Sequence, residues 1–231
     1  MSPEPAEGSG AEATREMTFL LAAPERRLLR AMAERIPPAI HSDHLTIIGV
    51  LGSIGIAVGY ALSGRAPAWL WLASAMLWVN WFGDSLDGTL ARVRKAERPK
   101  YGYYLDHGVD AFTTVSIGVG IGLSPWVGMP PAMALVVVYL MLSINVYLEG
   151  AVYGVFRMAY GRIGPTEVRI VLILLNTFVI LSPRLGVDPA GLRRYADWAI
   201  WGVAAVMAVL LLHRFGINLR RLARLEPRKP G

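Results

Sequence analysis

Four aspartates occupy two short stretches at the ends of otherwise apolar sequence. Asp84 and Asp87 belong to the first stretch, and Asp106 and Asp110 belong to the second. On an α-helix, residues three or four positions apart lie on one face, so each stretch presents a pair of carboxylates on the same side. Two such helices packed together would bring four carboxylates into one cavity.

Carboxylates that converge in this way repel one another unless a cation lies between them. Acids inside apolar helices are also costly unless they are paired, protonated or coordinated, which makes them functional candidates. All the candidate ligands are hard oxygen donors and the chain has no cysteine, which favours Mg²⁺ or Mn²⁺ over zinc. The alternative is a plain ion pair between Asp84 and Arg92 or a neighbouring basic residue, with no metal bound.

Small and basic residues follow the first acid pair. Gly88 and Ala91 keep one helix face free of bulk, so a planar base or a diphosphate could lie against the backbone. Arg92 stands in fixed register with the acids, and a guanidinium binds anionic oxygens in bidentate fashion. The basic residues after Arg92 are typical of a cytosolic loop that faces anionic lipid.

The composition indicates that these acids belong to a membrane protein. Of the 231 residues, 54% are hydrophobic and only 17% are charged, against about 25% charged in soluble domains. The net charge of +6 could suggest nucleic acid, but the Lys and Arg residues lie between apolar stretches rather than in a soluble basic domain. We therefore expect an integral membrane protein that binds no nucleic acid.

Six apolar stretches predict the elements that position the acids. A helix needs roughly 20 apolar residues to cross a bilayer core of about 30 Å. The predicted spans are 44–63, 68–90, 103–123, 131–156, 165–183 and 194–214. The expected fold is an all-α integral membrane bundle of six transmembrane helices at 41–216, followed by a basic cytosolic tail at 217–231.

The distribution of basic residues predicts the orientation of the bundle. Six spans place both termini on one side of the membrane, and 19 of the 23 Lys and Arg residues lie on that side. By the positive-inside rule, both termini and the aspartates face the cytosol. The protein would be a multi-pass protein of the inner membrane if its source is prokaryotic.

Two segments precede the first predicted span. Residues 1–16 are rich in Pro, Glu, Gly and Ala, lack the order of a signal peptide, and predict a disordered cytosolic tail. Residues 17–40 predict an amphipathic helix, with leucines on one stripe and arginines beside it. This helix either lies in the membrane interface or packs as an ordinary surface helix on the rest of the protein.

The stretch from residue 84 to residue 110 resembles the signature of the CDP-alcohol phosphotransferase family, also called CDP-alcohol phosphatidyltransferases. That signature reads Asp-x2-Asp-Gly-x2-Ala-Arg-x(n)-Gly-x3-Asp-x3-Asp. Its fixed positions are all filled, by Asp84, Asp87, Gly88, Ala91, Arg92, Gly102, Asp106 and Asp110.

The resemblance implies an enzyme of phospholipid synthesis. Two divalent ions, Mg²⁺ or Mn²⁺, would be held by the aspartates, with Asp110 acting as a ligand or as the general base. The donor would be a CDP-alcohol, the acceptor a hydroxyl of a lipid or a small polar alcohol, and CMP the leaving group. The resemblance also implies contact with membrane lipids and a homodimer. The residues it places at the CDP group are Asp84, Gly88, Ala91, Arg92 and Gly102.

Asp106-His107-Gly108 resembles the choline/ethanolamine phosphotransferase branch of this family. His107 is thus a second candidate base, since an imidazole titrates near neutrality, or else a hydrogen-bonded helix residue. The segment 164–168, Gly-Pro-Thr-Glu-Val, also resembles that branch but is equally typical of a helix start. Which substrate carries the lipid, the CDP donor or the acceptor, is left open by the sequence.

Two further features leave alternatives open. Asn145 and Glu149 form an i, i+4 polar pair that contacts either the substrate or, as we favour, a neighbouring helix. The chain could instead be a membrane cation carrier or channel whose aspartates bind a permeating ion. A carrier predicts acids along a continuous path across several spans, whereas these acids cluster on two helix ends beside a basic loop.

Overall fold

A computed structural model describes residues 21–153 and 164–228. Within these ranges the chain forms helices and no strand, which confirms the predicted all-α class. The predicted tail at 1–16, the first residues of the predicted amphipathic helix and the last three residues of the chain lie outside the described residues. The helices are α1 (Ala22–Ala33), α2 (Ser42–Leu62), α3 (Trp69–Val93), α4 (Pro99–Leu123), α5 (Met129–Tyr153), α6 (Pro165–Leu181) and α7 (Pro189–Leu225).

In the described part of the chain, four stretches of helix are long and apolar enough to cross a membrane. They are Ser42–Leu62, Met129–Tyr153, Pro165–Leu185 and Gly191–Leu225. The third runs through a short 3₁₀ turn that follows α6. Helices α3 and α4 have 25 residues each but carry the acids and polar residues of the signature, which lower their hydropathy. The chain is therefore a multi-pass membrane protein, and the count of six spans stays a prediction.

Helix α7 continues well past the predicted span end at residue 214. It runs unbroken to Leu225, so the first part of the predicted basic tail, 217–225, is helical. This part is rich in Leu and Arg, which have high helix propensity, and exposed arginines need no buried partner. Apolarity therefore marks where a span ends but not where its helix ends.

Helices α2 and α3 pack against each other through glycines. A Cβ atom added to Gly59 would lie 2.6 Å from the backbone nitrogen of Ala73, and one added to Gly52 would lie 2.6 Å from that of Asn80. Small residues let helix backbones approach closely in lipid, where packing replaces the hydrophobic effect as the main attraction. The amide of Asn80 adds a hydrogen bond to the carbonyl of Gly49, at 2.9 Å.

Helix α1 docks on the start of α2 and the end of α3. Leu29 and Ala33 of α1 pack with Leu45, Leu86 and Leu90 in one buried cluster. The arginine side of α1 stays largely exposed. The contacts therefore agree with a helix packed on the rest of the protein, and its place in the membrane interface stays a prediction.

Polar contacts also tie α1 to α3 and α6. The carboxylate of Glu25 accepts hydrogen bonds from Trp81 Nε1 and Thr166 Oγ1, both at 2.7 Å. Glu167 accepts from the backbone N–H groups of Gly164 and Leu21, both at 2.9 Å. The Thr-Glu element therefore serves as a helix start, as one of the two interpretations expected, and it also anchors α1.

Asn145 and Glu149 contact the neighbouring helix α7, which was the favoured interpretation. Glu149 forms an ion pair with Arg214 and accepts hydrogen bonds from Asn145 Nδ2 and Asn218 Nδ2, both at 2.6 Å. Both charged side chains are largely buried. A buried carboxylate with several donors is compensated for its lost solvation, so this cluster holds α5 and α7 together.

The glycine contact between α2 and α3 predicts the effect of a single added methyl group. We expect Gly59→Ala to lower stability by about 1–3 kcal/mol, because the new Cβ meets the backbone of Ala73, which cannot move aside alone. Thermal unfolding in detergent measures this change. The matched control is Gly202→Ala on α7, where a new Cβ meets nothing within 4 Å. Equal melting temperatures for the two variants would contradict the packing.

Candidate functional site

A short connection between α3 and α4 brings acids of the two helices to the same end of the bundle. Helix α3 ends at Val93, Lys95 adopts a left-handed backbone with φ of 53°, and α4 begins at Pro99. The N–H of Ala96 bonds back to the carbonyl of Ala91 at 3.0 Å, which closes the end of α3. Proline in the first turn suits the start of α4. The end of α3 and the beginning of α4 thus bring their acids to one place, although each helix packs mainly on α2.

Three of the four predicted ligands converge at this end of the bundle. Asp84, Asp106 and Asp110 each place a carboxylate oxygen within 4.8 Å of the other two. Oxygens on opposite sides of one Mg²⁺ ion lie roughly 4.2 Å apart, so small side-chain movements suffice for shared coordination. The hard donor set and its spacing therefore fit a divalent cation.

Asp87 faces α2 rather than this cluster. Its Oδ2 accepts a hydrogen bond from Thr46 Oγ1 at 2.6 Å, and its Oδ1 lies 2.5 Å from the N–H of Gly88. The i, i+3 spacing with Asp84 predicted that both carboxylates enter one cavity, and the bond to Thr46 directs Asp87 elsewhere. Metal ligation by Asp87 stays a prediction.

Arg169 of α6 is a site residue that the sequence analysis missed. Its Nη2 donates to Asp84 Oδ2 at 2.7 Å, and its Nε donates to Asn80 Oδ1 at 3.1 Å. The alternative interpretation had paired Asp84 with Arg92 or a basic residue near it. The ion-pair partner is instead Arg169. A signal existed: Arg169 is the one basic residue inside the apolar stretch 165–183, where it is as costly as an acid.

The residues expected to bind CDP lie on the same two helices. Arg92 is exposed and donates to Thr89 Oγ1 at 3.1 Å, and its guanidinium covers Gly88, where an added Cβ would lie 3.4 Å from Nη1. Ala91 is half-buried, and Gly102 has open space around its Cα. Their contact with a nucleotide stays a prediction.

His107 is enclosed by aromatic rings. Its centroid lies 4.1 Å from that of Tyr103 on α4 and 4.4 Å from that of Tyr147 on α5. Its Nδ1 lies 3.5 Å from Asp106 Oδ2, and its side chain is only 14% exposed. The imidazole thus lies next to the acid cluster and in tilted contact with two tyrosine rings.

Two basic residues of the α3–α4 connection hold the chain between α1 and α2. Arg94 donates to three backbone carbonyls there, and Arg98 forms an ion pair with Asp43. The hydrogen bond from Arg98 to Asp43 raises the pKa of this guanidinium. These two arginines therefore also hold the connection in place, and the orientation of the loop towards lipid stays a prediction. The carbonyls that Arg94 contacts belong to Ile36, Pro37 and Ile40.

Comparison with known proteins identifies the family of the chain. Residues 40–210 match the family model described as CDP-alcohol phosphatidyltransferase, which is more than half of the chain and includes the whole signature. The chain belongs to this family. The resemblance inferred from the aspartates is therefore confirmed, and the family is one of transferases.

The curated relatives are named as cholinephosphotransferases and as an archaetidylinositol phosphate synthase. Cholinephosphotransferase 1 of Gallus gallus is 26% identical over 62% of this chain and 44% of its own length. Cholinephosphotransferase 1 of Danio rerio is 27% identical over 68% of this chain and 45% of its own length. The archaetidylinositol phosphate synthase of Methanothermobacter thermautotrophicus is 33% identical over 45% of this chain and 49% of its own length. The chain thus spans about half the length of these relatives.

The acid cluster predicts how stability responds to divalent ions. In metal-free detergent buffer, we expect Asp110→Asn to raise the melting temperature, because it removes one of three mutually repelling charges. Added Mn²⁺ should stabilise the parent by about 2.7 kcal/mol at 100 times its Kd, and the variant by less at the same concentration. Thermal unfolding with and without Mn²⁺ measures both effects.

The control for this prediction is Asp188→Asn. Asp188 Oδ2 accepts a hydrogen bond from the N–H of Gly191 at the start of α7, and asparagine caps a helix equally well. This variant should show the same Mn²⁺ response as the parent. A Mn²⁺ response in Asp110→Asn as large as that of the parent would count against a cation site at the cluster.

Proposed function

We propose that the protein is a metal-dependent CDP-alcohol phosphotransferase of phospholipid synthesis. It transfers a phosphoalcohol or phosphatidyl group from a CDP-linked donor to an acceptor hydroxyl and releases CMP. The observation that carries the proposal is the convergence of Asp84, Asp106 and Asp110 from two consecutive helices, in the register of the family signature. Within the described residues these acids gather at one end of the bundle, which disfavours a cation pathway across it.

The reaction forms one bond at phosphorus and breaks another. The acceptor oxygen attacks the phosphorus that bears the donor's alcohol, the bond from that phosphorus to the CMP oxygen breaks, and the hydroxyl proton passes to a base on the protein. Phosphoryl transfer depends mainly on positioning and on neutralising charge. Two divalent ions, Mg²⁺ or Mn²⁺, would supply that neutralisation at the diphosphate. The residues assigned to hold them are Asp84, Asp87, Asp106 and Asp110.

The nucleotide half of the donor is assigned to the exposed side of α3 beyond the acids. Gly88 and Ala91 present little bulk there, and Arg92 is free to turn from Thr89 towards a phosphate oxygen, because its present bond is a weak exposed one. Gly102 leaves open space on the first turns of α4. A nucleotide could therefore approach both helix backbones closely.

The base is assigned to His107, with Asp110 as the alternative. A carboxylate that binds a cation is a poor proton acceptor, because the ion's charge dominates its surroundings. His107 lies beside the cluster without belonging to it, and its ring contacts those of Tyr103 and Tyr147. An aminoalcohol donor is favoured by Asp106-His107-Gly108 and by the cholinephosphotransferases among the relatives.

We propose that the protein is a homodimer with six membrane spans per chain and that its active site faces the cytosol. Helices α3 and α4 would add two spans to the four apolar ones, since 25 residues extend about 37 Å. The excess of Lys and Arg on the side of the aspartates supports the orientation. In a prokaryote the membrane would be the inner membrane.

The proposal predicts CMP release that requires a divalent ion. Purified protein is incubated with Mn²⁺ or Mg²⁺, CDP-choline or CDP-diacylglycerol, and matching acceptors such as diacylglycerol or a small polar alcohol. We expect CMP and a lipid product from one donor class, and CDP-choline is favoured. Asp110→Asn should lose at least about 100-fold in rate, and Asp188→Asn should keep the parent's rate. Absence of CMP from every pairing would sink the proposal.

His107→Phe tests the assignment of the base. Phenylalanine keeps a ring between Tyr103 and Tyr147 but cannot accept a proton. We expect kcat to fall by about 10²–10⁴ while KM for the CDP donor changes little, because the loss affects proton transfer and not binding. Steady-state kinetics measure both. A kcat within threefold of the parent would instead assign the proton to Asp110.

A further inference from the structure

A continuous line of hydrogen bonds runs from α2 to the acid cluster. It begins at the carbonyl of Gly49, which accepts from Asn80 Nδ2 at 2.9 Å. Asn80 Oδ1 accepts from Arg169 Nε at 3.1 Å, and Arg169 Nη2 donates to Asp84 Oδ2 at 2.7 Å. Three helices, α2, α3 and α6, are thus joined through four residues, and the line ends on a predicted metal ligand.

The members of this line are buried. Asn80 is 0% exposed and Arg169 is 9% exposed, while the side chain of Asp84 is 18% exposed. Buried polar groups are costly unless their bonds are made, so breaking any of these three bonds is unfavourable and the line has little freedom to rearrange. Gly49 and Gly52 hold α2 close to Asn80, which keeps the amide in place.

The shape of the guanidinium makes Arg169 suited to this position. Its donors form a rigid planar fork, so fixing Nε on Asn80 also fixes the direction in which Nη2 points. Asp84 has two carboxylate oxygens, and the bond to Oδ2 leaves Oδ1 available to a cation. A lysine carries the same charge but has a single nitrogen, which cannot reproduce both directions.

We infer that Arg169, held by Asn80, positions Asp84 to bind a divalent cation together with Asp106 and Asp110. The inference rests on the proposed function, because it concerns the same site. Arg169 acts through Asp84 and is a positioning residue. Ligating carboxylates in metal sites are commonly oriented by such outer hydrogen bonds, and their removal weakens metal binding or activity by about 10- to 100-fold.

Arg169 could instead compete with the metal ion for Asp84. A cation paired with Asp84 could compete with the metal, in which case removing it would strengthen metal binding. The two roles therefore predict changes of opposite sign in the same measurement. The three bonds of the line favour positioning, because a competing cation would need freedom to leave.

The test is direct Mn²⁺ binding to the full chain in detergent, without substrate, followed by electron paramagnetic resonance of free Mn²⁺. We expect Arg169→Gln to raise the Kd by about 10- to 100-fold. Arg169→Lys should fall between this variant and the parent, and Asn80→Ala should also weaken binding while Arg169 is still present. Gel filtration and thermal unfolding establish that each variant is folded.

The matched control is Arg214→Gln. Arg214 is likewise largely buried in an ion pair, with Glu149 on α5, and the substitution is identical. This variant should lose stability but keep the parent's Kd for Mn²⁺. A general loss of stability therefore cannot imitate the expected result.

Three outcomes would overturn the inference. An unchanged Kd in Arg169→Gln would remove any role in metal binding, and a tighter Kd would make Arg169 a competitor. Full recovery by Arg169→Lys would mean that charge alone matters and not the fork. All three leave the proposed function intact, whereas a parent protein that binds no Mn²⁺ would overturn both.

Discussion

Charge inside an apolar helix bundle has to be paired, and the arrangement around Asp84 depends on this constraint. The carboxylate lies where solvent is scarce, and Arg169 of α6 supplies its ion-pair partner at 2.7 Å. Because removal of one partner leaves a buried charge uncompensated, the pair also fixes where α6 packs on α3. The same constraint governs Glu149 and Arg214, which join α5 to α7. Helix packing and site geometry are thus set by the same kind of interaction.

Close packing between α2 and α3 makes the polar contacts possible. Glycines on α2 bring its backbone to Asn80, whose amide then reaches the carbonyl of Gly49. Thr46 of α2 reaches Asp87 at 2.6 Å in the same interface. In lipid, where apolar side chains gain little by associating with each other, such contacts and close packing hold helices in register. The scaffold of the acids therefore includes α2, which carries none of the signature.

Much of the fold could be predicted from the pattern of apolar residues, because a membrane span must be long and apolar whatever its neighbours are. Each of the six predicted spans overlaps a helix within the described residues, and three of the four aspartates meet as their spacing predicted. Hydropathy patterning did not predict two features, the end of α7 and the ion pair of Arg169. The end of α7 was placed too early, since a helix that leaves the apolar stretch can continue in arginine-rich sequence. Arg169 was not predicted to belong to the site, because its partner lies 85 positions earlier in the chain.

The sequence alone determined the class of the protein and its family, because the hydropathy of spans and eight residues at fixed spacing are local properties. It also determined which acids are available to the chemistry. The tertiary structure decided how those acids are used: Asp84, Asp106 and Asp110 meet, Asp87 turns to Thr46, and His107 is enclosed by tyrosines. Rotamers and ion pairs are chosen by neighbours on other helices, and no spacing along one helix specifies them.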